Sequence, residues 1–295
     1  MRNNLLVAVF SLILVIFLTI PAAGSFRYEF NSGEEIRYEN IFKISSTMET
    51  NNLIVGSQLE LLGELTQVIR EVNEGNISFD VVFDYLETRN LKQTMTTKNS
   101  SSQSYSINQK DEFQGTLDSI LGQKLLQFSI DERGNLLDKN VQETLINFRH
   151  VNLSSLGQQI FISFPEDELE IGTSWVSGKE FTLPQGGNIR AITTDVKYTV
   201  VDIVEKEGFQ CYKIEAKIDY WGATPLEDGE NSKVEVKHTG RGYLYYSPEI
   251  GRLVSGVTSQ NYRVQFYKDR GEEDPLVRSV LEIKMDNIIN ILEAE

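Results

Sequence analysis

The chain is short of the residues on which much protein chemistry turns. Its 295 residues include one cysteine and two histidines, so an internal disulfide framework is impossible and almost nothing is left for a zinc site or a cysteine protease. Basic residues are also scarce, 28 Lys and Arg against 43 Asp and Glu, for a net charge of −15. That balance argues against nucleic acid, whose backbone calls for clustered cations. No glycine-rich phosphate loop, Gly-x-Ser-x-Gly elbow or His-Glu-x-x-His pattern occurs. What is present, 40% apolar and 24% charged residues, fits a folded globular chain with a core that needs no metal or disulfide staple.

Long apolar runs are confined to the N-terminus. Arg2 precedes an apolar run at residues 5–20, followed by Pro21, Ala22, Ala23, Gly24 and Ser25, the layout of a signal peptide with a small-residue exit. Cleavage after Gly24 leaves Ala22 and Gly24 at the small positions. The competing reading is an uncleaved anchor, because the run extended by Pro-Ala-Ala approaches the ~20 residues needed to span a bilayer. Membrane contact is then expected through residues 5–20 alone, and under either reading the remainder is exported, secreted or held in the cell envelope. No cysteine adjoins the run, and Cys211 reads as a small, inert strand residue.

The body alternates with period two. Ile36, Tyr38, Asn40, Phe42 and Ile44 share one parity, as do Ile77, Phe79, Val81, Phe83 and Tyr85. The second half repeats the pattern in Tyr212, Ile214, Ala216, Ile218 and Tyr220, in Tyr262, Val264 and Phe266, and in Leu281, Ile283 and Met285. Sheets with one wet face are typically antiparallel, so the pattern predicts a meander of long hairpins. Glu74-Gly75 and Glu207-Gly208 predict tight reversals; Asp131-Glu132-Arg133-Gly134 and Pro248-Glu249-Ile250-Gly251 predict type I turns closed by a left-handed glycine. Residues 141–156 carry Val141, Leu145 and Phe148 at helical spacing, and residues 115–121 form a second short helical candidate. Residues 94–106 and 222–232 lack apolar periodicity and read as surface loops.

Glycine-marked turns return in the same order in the two halves, which suits either a duplication or one continuous sheet that curls as its strands twist. The expected fold is mainly β, a long antiparallel curved sheet, half-barrel or two related halves, with one or two short helices. Its expected divisions are 1–24 signal peptide or anchor, 25–140 first β half, 141–163 helical connector or lid, and 164–295 second β half.

Phe164-Pro165, Leu169 and Ile171-Gly172-Thr173-Ser174-Trp175 resemble the "P, spacer, G-(D/T)-S-W" signature of an uncharacterised family of secreted bacterial β-rich proteins and lipoproteins. The resemblance implies two β-rich halves flanking a short helical stretch and brings no activity with it. This chain departs from lipoprotein members in lacking the anchoring cysteine. The local meaning is structural, with Gly172 opening a strand and Trp175 plugging the core. In architecture, not motif, the chain is also similar to half-barrel carriers of lipoproteins and lipids in bacterial envelopes.

His238 shares parity with Val234 and Val236 and reads as a satisfied buried histidine, and His150 as an exposed or capping one. Acidic clusters at residues 166–168, 227–230 and 269–274 lack the ligand spacing of a calcium loop, so no metal or cofactor is expected. Asn76, Asn99 and Asn152 head sequons, of which Asn99 is the accessible one. The reading that follows is an exported, non-enzymatic β protein binding a lipid or other apolar ligand in a concave sheet. Tyr38, Phe42, Phe79, Phe83, Tyr212, Ile214, Ile218 and Tyr220 are its candidate lining. The alternative is a cell-surface structural or protein-interaction module, with an envelope protein as partner and no small-molecule ligand; a hydrolase is disfavoured.

Overall fold

The computed structural model describes residues 26–50, 53–97, 105–107, 110–141, 147–148, 151–152, 161–181, 192–225, 232–268 and 276–294. Residues 1–25, His150 and Asn99 lie outside them. The elements are β1 (Glu35–Thr50), β2 (Leu53–Asn73), β3 (Asn76–Thr97), β4 (Tyr105–Ile107), α1 (Lys110–Asp118), β5 (Lys124–Asp131), β6 (Leu136–Val141), β7 (Asn147–Phe148), β8 (Val151–Asn152), β9 (Ser174–Phe181), β10 (Ile192–Lys206), β11 (Phe209–Pro225), β12 (Ser232–Ser247), β13 (Arg252–Lys268) and β14 (Leu276–Ala294). All strands but β7 and β8 form one open antiparallel sheet in the order β6-β5-β3-β2-β1-β14-β13-β12-β11-β10-β9, with β4 added to β3. The mainly β expectation holds. The first and last strands meet at the centre, where β1 pairs with β14.

Parity sorts the two faces as the sequence suggests: Ile36, Tyr38, Asn40, Phe42 and Ile44 are buried while their odd-numbered neighbours are wetter. Turn chemistry fixes the registers. Glu74 and Glu207 take φ of 49° and 51°, followed by Gly75 and Gly208 at 83° each, the two successive left-handed residues of a type I′ hairpin. Gly134 and Gly251 close the other two reversals at φ of 83° and 61°.

Three local expectations are corrected. Residues 141–156 are not a helix where they are described: Val141 ends β6 opposite Leu126, and Asn147–Phe148 pairs with Val151–Asn152. Aromatic and β-branched residues such as Phe148 and Val151 favour a ladder over a helix, and the helical spacing is coincidental. The helical candidate at residues 115–121 begins earlier, at Lys110, because Phe113, Leu117 and Ile120 form the buried stripe. Gln114 anchors it, its Nε2 donating to the Leu86 carbonyl at 2.7 Å and its Oε1 accepting from Thr88 N–H at 2.8 Å. The two expected loops are shorter, since β3 runs to Thr97 and β11 to Pro225. Ladder partners on β2 and β12 hold these polar ends, which side-chain periodicity does not report.

The curl of the sheet follows from distances. Strands β5 and β9 are nine strand spacings apart along the sheet, about 43 Å if it were flat. Yet Phe128 on β5 packs on Phe161 at 5.4 Å, and Trp175 on β9 packs on Phe164 at 6.1 Å. Phe161 and Phe164 are three residues apart, at most about 10 Å, so the sheet wraps around them. Glycines allow this crowding on the inner face: a Cβ at Gly242 would lie 2.5 Å from the Val257 carbonyl oxygen, and one at Gly256 would lie 2.7 Å from a Leu244 methyl.

Candidate functional site

Two lead-in segments fill the concave face near the hairpin turns. Residues 26–30 place Phe26, Tyr28 and Phe30 inside, and residues 161–169 add Phe161, Ile162, Phe164 and Leu169, all buried. Phe26 meets Tyr212 at 4.4 Å and Tyr246 at 5.0 Å; Phe30 meets Phe79 at 5.2 Å; Phe161 meets Phe79 at 5.1 Å. Polar groups inside this plug are paired. Ile162 N–H donates to Tyr28 Oη at 2.8 Å, Tyr38 Oη donates to the Leu253 carbonyl at 3.3 Å, and Tyr246 Oη donates to the Arg27 carbonyl. Burial pushes the Tyr28, Tyr38 and Tyr246 hydroxyls well above the ordinary phenol range. Arg252, 6% exposed, holds Glu34 at 2.6 Å and lies 5.2 Å from the Phe30 ring centre, a buried pair at the foot of the plug.

The sequence-predicted lining residues come together on one wall. Tyr38, Phe42, Phe79, Phe83, Tyr212, Ile214 and Ile218 are buried in a single core, and Tyr220 packs against it half-buried. Tyr38, Phe79 and Tyr212 touch or underlie the plug, so they are core at this end of the molecule; Ile218 and Tyr220 lie further along β11. Gly172, at φ 97°, leads into β9. Trp175 is half-buried, its Nε1 donating to the Ser163 carbonyl at 2.8 Å and its ring 5.3 Å from Tyr198.

Beyond the plug the wall continues and opens. Met48 on β1 is ten residues past Tyr38, about 33 Å along the strand. Cross-strand pairing there draws one apolar row, Met95–Val55–Met48–Leu281–Val264–Val236, over β3, β2, β1, β14, β13 and β12. Val264, Leu281 and Val236 are buried, Met48 and Val55 are half-buried, and Met95 is 37% exposed. A second row, Leu91–Leu59–Ile44–Met285, runs parallel to it, with Leu91 and Met285 half-buried. Every methionine after Met1 lies on this wall. The sequence reading reached Met285 by parity but not Met48 or Met95, and it missed the plug, which Phe-x-Tyr-x-Phe at residues 26–30 could have signalled.

Between the two rows runs a more polar one, Ser57–Ser46–Ile283–Tyr262–His238. Ser46 and Ser57 share a hydrogen bond of 2.6 Å. Further round, the His238 ring stacks on Tyr262 at 4.0 Å, and Gln260 Oε1 accepts from Tyr262 Oη at 2.8 Å and lies 3.2 Å from His238 Nε2. Burial lowers the histidine to about 4, against the opposing pull of Gln260. A neutral, stacked imidazole with no exposure is placed for structure, as parity implied. Cys211 is likewise buried, and burial pushes its thiol up to about 11, leaving little thiolate for chemistry.

Among the described residues no group of three or more His, Cys, Asp or Glu is placed to hold a metal ion, and no helix is long and apolar enough to cross a membrane. No family model matches the chain, and no curated protein matches it. Among solved structures it is similar to lipovitellin, solved for its lipid–protein interactions, at 12% identity and a TM-score of 0.45 over 90% of this chain and 26% of that one. The chain thus spans about a quarter of the length of lipovitellin. A DUF1329 family protein from Desulfovibrio piger is similar at 11% identity and a TM-score of 0.13, over 86% of this chain and 84% of that one. OccK7 (OpdD) of Pseudomonas aeruginosa is similar at 8% identity and a TM-score of 0.22, over 88% of this chain and 99% of that one. None reaches a TM-score of 0.5, so the functional reading rests on the chain's own geometry.

Proposed function

We propose that the chain is an exported, non-enzymatic binding protein that holds a lipid or other apolar ligand against the unplugged half of its curled sheet. The supporting observation is the half-open apolar wall of Met48, Val55, Leu91, Met95 and Met285, remote from the aromatic plug. Unbranched methionine side chains reshape around varied apolar partners, and a solvent-reached apolar wall inside a curl is where a ligand's burial gains most. Export rests on the pattern of residues 1–25. Native mass spectrometry of protein purified from its host, before and after solvent extraction, should show an extractable lipid. The delipidated protein should take up a fluorescent fatty acid, and Met48→Lys with Met95→Lys should weaken uptake about tenfold or more. An empty native spectrum with no saturable uptake, or uptake indifferent to those substitutions, would refute the reading.

The alternative, a cell-surface interaction module, is favoured by the two edges of the sheet. Leu136 and Leu137 on β6 are 49% and 52% exposed, and Val176 on β9 is 60% exposed. Sheet edges are where a partner adds a strand. A protein that co-purifies reproducibly and is displaced by Val176→Lys, with no lipid present, would select this reading instead.

A further inference from the structure

The convex face sets like charges directly opposite one another. Lys197 on β10 faces Lys217 on β11, which faces Arg241 on β12, and Lys237 on β12 faces Arg263 on β13. Such pairs destabilise a sheet, and they recur here in a chain of net charge −15. Next to them is a cleft of about 290 Å³ lined by Ser45, Thr239, Asn261, Lys237, Arg263 and Lys284. Pairing explains its shape: Thr239, Asn261, Lys284 and Ser45 form one cross-strand line, with long Lys237 and Arg263 standing one outward position along. Arg241 stands one position the other way.

Carboxylates share the neighbourhood and constrain the ligand. Glu282 lines the cleft and bonds Arg263 at 3.3 Å, Asp286 bonds Lys284 at 3.1 Å, and Asp219 is paired opposite Thr239. Two cation heads are therefore held in place by acids. Lys237 and Arg241, both exposed, have no ion-pair partner among the described residues. A diffuse anion is repelled by the chain as a whole, so any anion retained here must be held by short contacts.

We propose that this cleft binds a phosphate ester. The phosphate sits over Thr239 and Asn261, met by Lys237 and Arg263 from one side and Arg241 from the other. The Thr239 hydroxyl and the Asn261 amide donate to its oxygens, and Glu282 accepts from a hydroxyl on the attached carbons. The volume is at the low end for ligand sites, roughly 300 Å³, which suits one head-group-sized molecule. A soluble ester and a phospholipid head group present the same chemistry, and they are separated by the probe.

The test is calorimetric titration of the purified protein with glycerol 3-phosphate and with inorganic phosphate, beside co-sedimentation with phosphatidylcholine vesicles containing phosphatidylglycerol. Lys237→Gln and Arg241→Gln should each weaken saturable binding about tenfold, the scale of one charged hydrogen bond. Lys206→Gln, which removes the same charge at a distant hairpin, should leave it unchanged. Glycerol phosphate binding assigns a soluble ester; vesicle binding without it assigns a lipid head group. No saturable binding to any probe overturns the proposal, as does an equal loss in Lys206→Gln, provided thermal melts show each variant folded.

Discussion

The plug can be tested at one glycine. Gly134 and Gly208 both have φ of 83°, so alanine at either pays the same backbone penalty, about 1–2 kcal/mol. Their surroundings differ. A Cβ at Gly208 meets nothing within 4 Å, whereas one at Gly134 would press on the Ile162 carbonyl oxygen and sit 2.6 Å from Tyr28 Cε2. Those atoms belong to the two plug segments, and one of them is backbone, so relief requires the crossing chain to move. Movement strains Phe164 N–H to the Arg133 carbonyl, 2.8 Å, and Tyr28 N–H to the Glu132 carbonyl, 2.7 Å. Overpacking of this kind costs about 1–3 kcal/mol, so Gly134→Ala should lose about 2 kcal/mol more than Gly208→Ala. Urea denaturation followed by tryptophan fluorescence reads the difference in midpoint at constant slope. Equal losses in the two variants would mean that the second lead-in does not cross the first half-sheet where it is placed here.

Two further outcomes follow from buried polar groups. Tyr28→Phe strips the acceptor from the buried Ile162 N–H and should cost about 1–3 kcal/mol, while Tyr85→Phe, 42% exposed, should be close to neutral in the same denaturation assay. His238 is held near 4 by burial against about 6.5 unfolded, so the unfolded chain takes up the proton first. Its contribution is intact above pH 6.5 and is lost as pH falls towards 4, by about 3 kcal/mol in full. His238→Phe should flatten that limb of the pH–stability curve; an unchanged difference between the two proteins from pH 7 to 4.5 would place the imidazole in water.

The long strands and their turns were legible because both depend on near neighbours in sequence. Parity in 36–44 and 212–220 marks the buried face, and Glu-Gly pairs mark the reversals. Residues 141–156 failed because spacing at three and four residues also arises in Val, Phe and Asn that pair across a short ladder. The polar ends of β3 and β11 failed because backbone partners on adjacent strands, not side-chain periodicity, keep them in the sheet. For the candidate site, parity found the wall but could not divide it. Tyr38 and Met48 have the same parity on one strand, and it is the plug of residues 26–30 and 161–169 at one end that makes the first of them core and leaves the second half-open.

That division has a source in the construction of the two half-sheets. Gly33 N–H donates to the Ile69 carbonyl at 2.7 Å and Ile69 N–H returns to Glu34 at 2.9 Å; Gly172 and Thr173 make the same exchange with Val200 at 2.8 and 3.0 Å. Each recipient strand then has an irregularity at the same place, between Ile69 and Glu71 and between Val200 and Asp202. A segment carrying buried aromatics precedes each glycine, so each half supplies its own lead-in. The first lead-in does not stay with its own half: Tyr28 N–H bonds Glu132 of the first, and Glu29 N–H bonds Gly251 of the second at 3.2 Å. Because the plug borrows from both halves, opening either one strips partners from the other. Unfolding should therefore be a single cooperative event, and the far end of the wall, which has no such clasp among the described residues, is where the curl can widen for a ligand without breaking it.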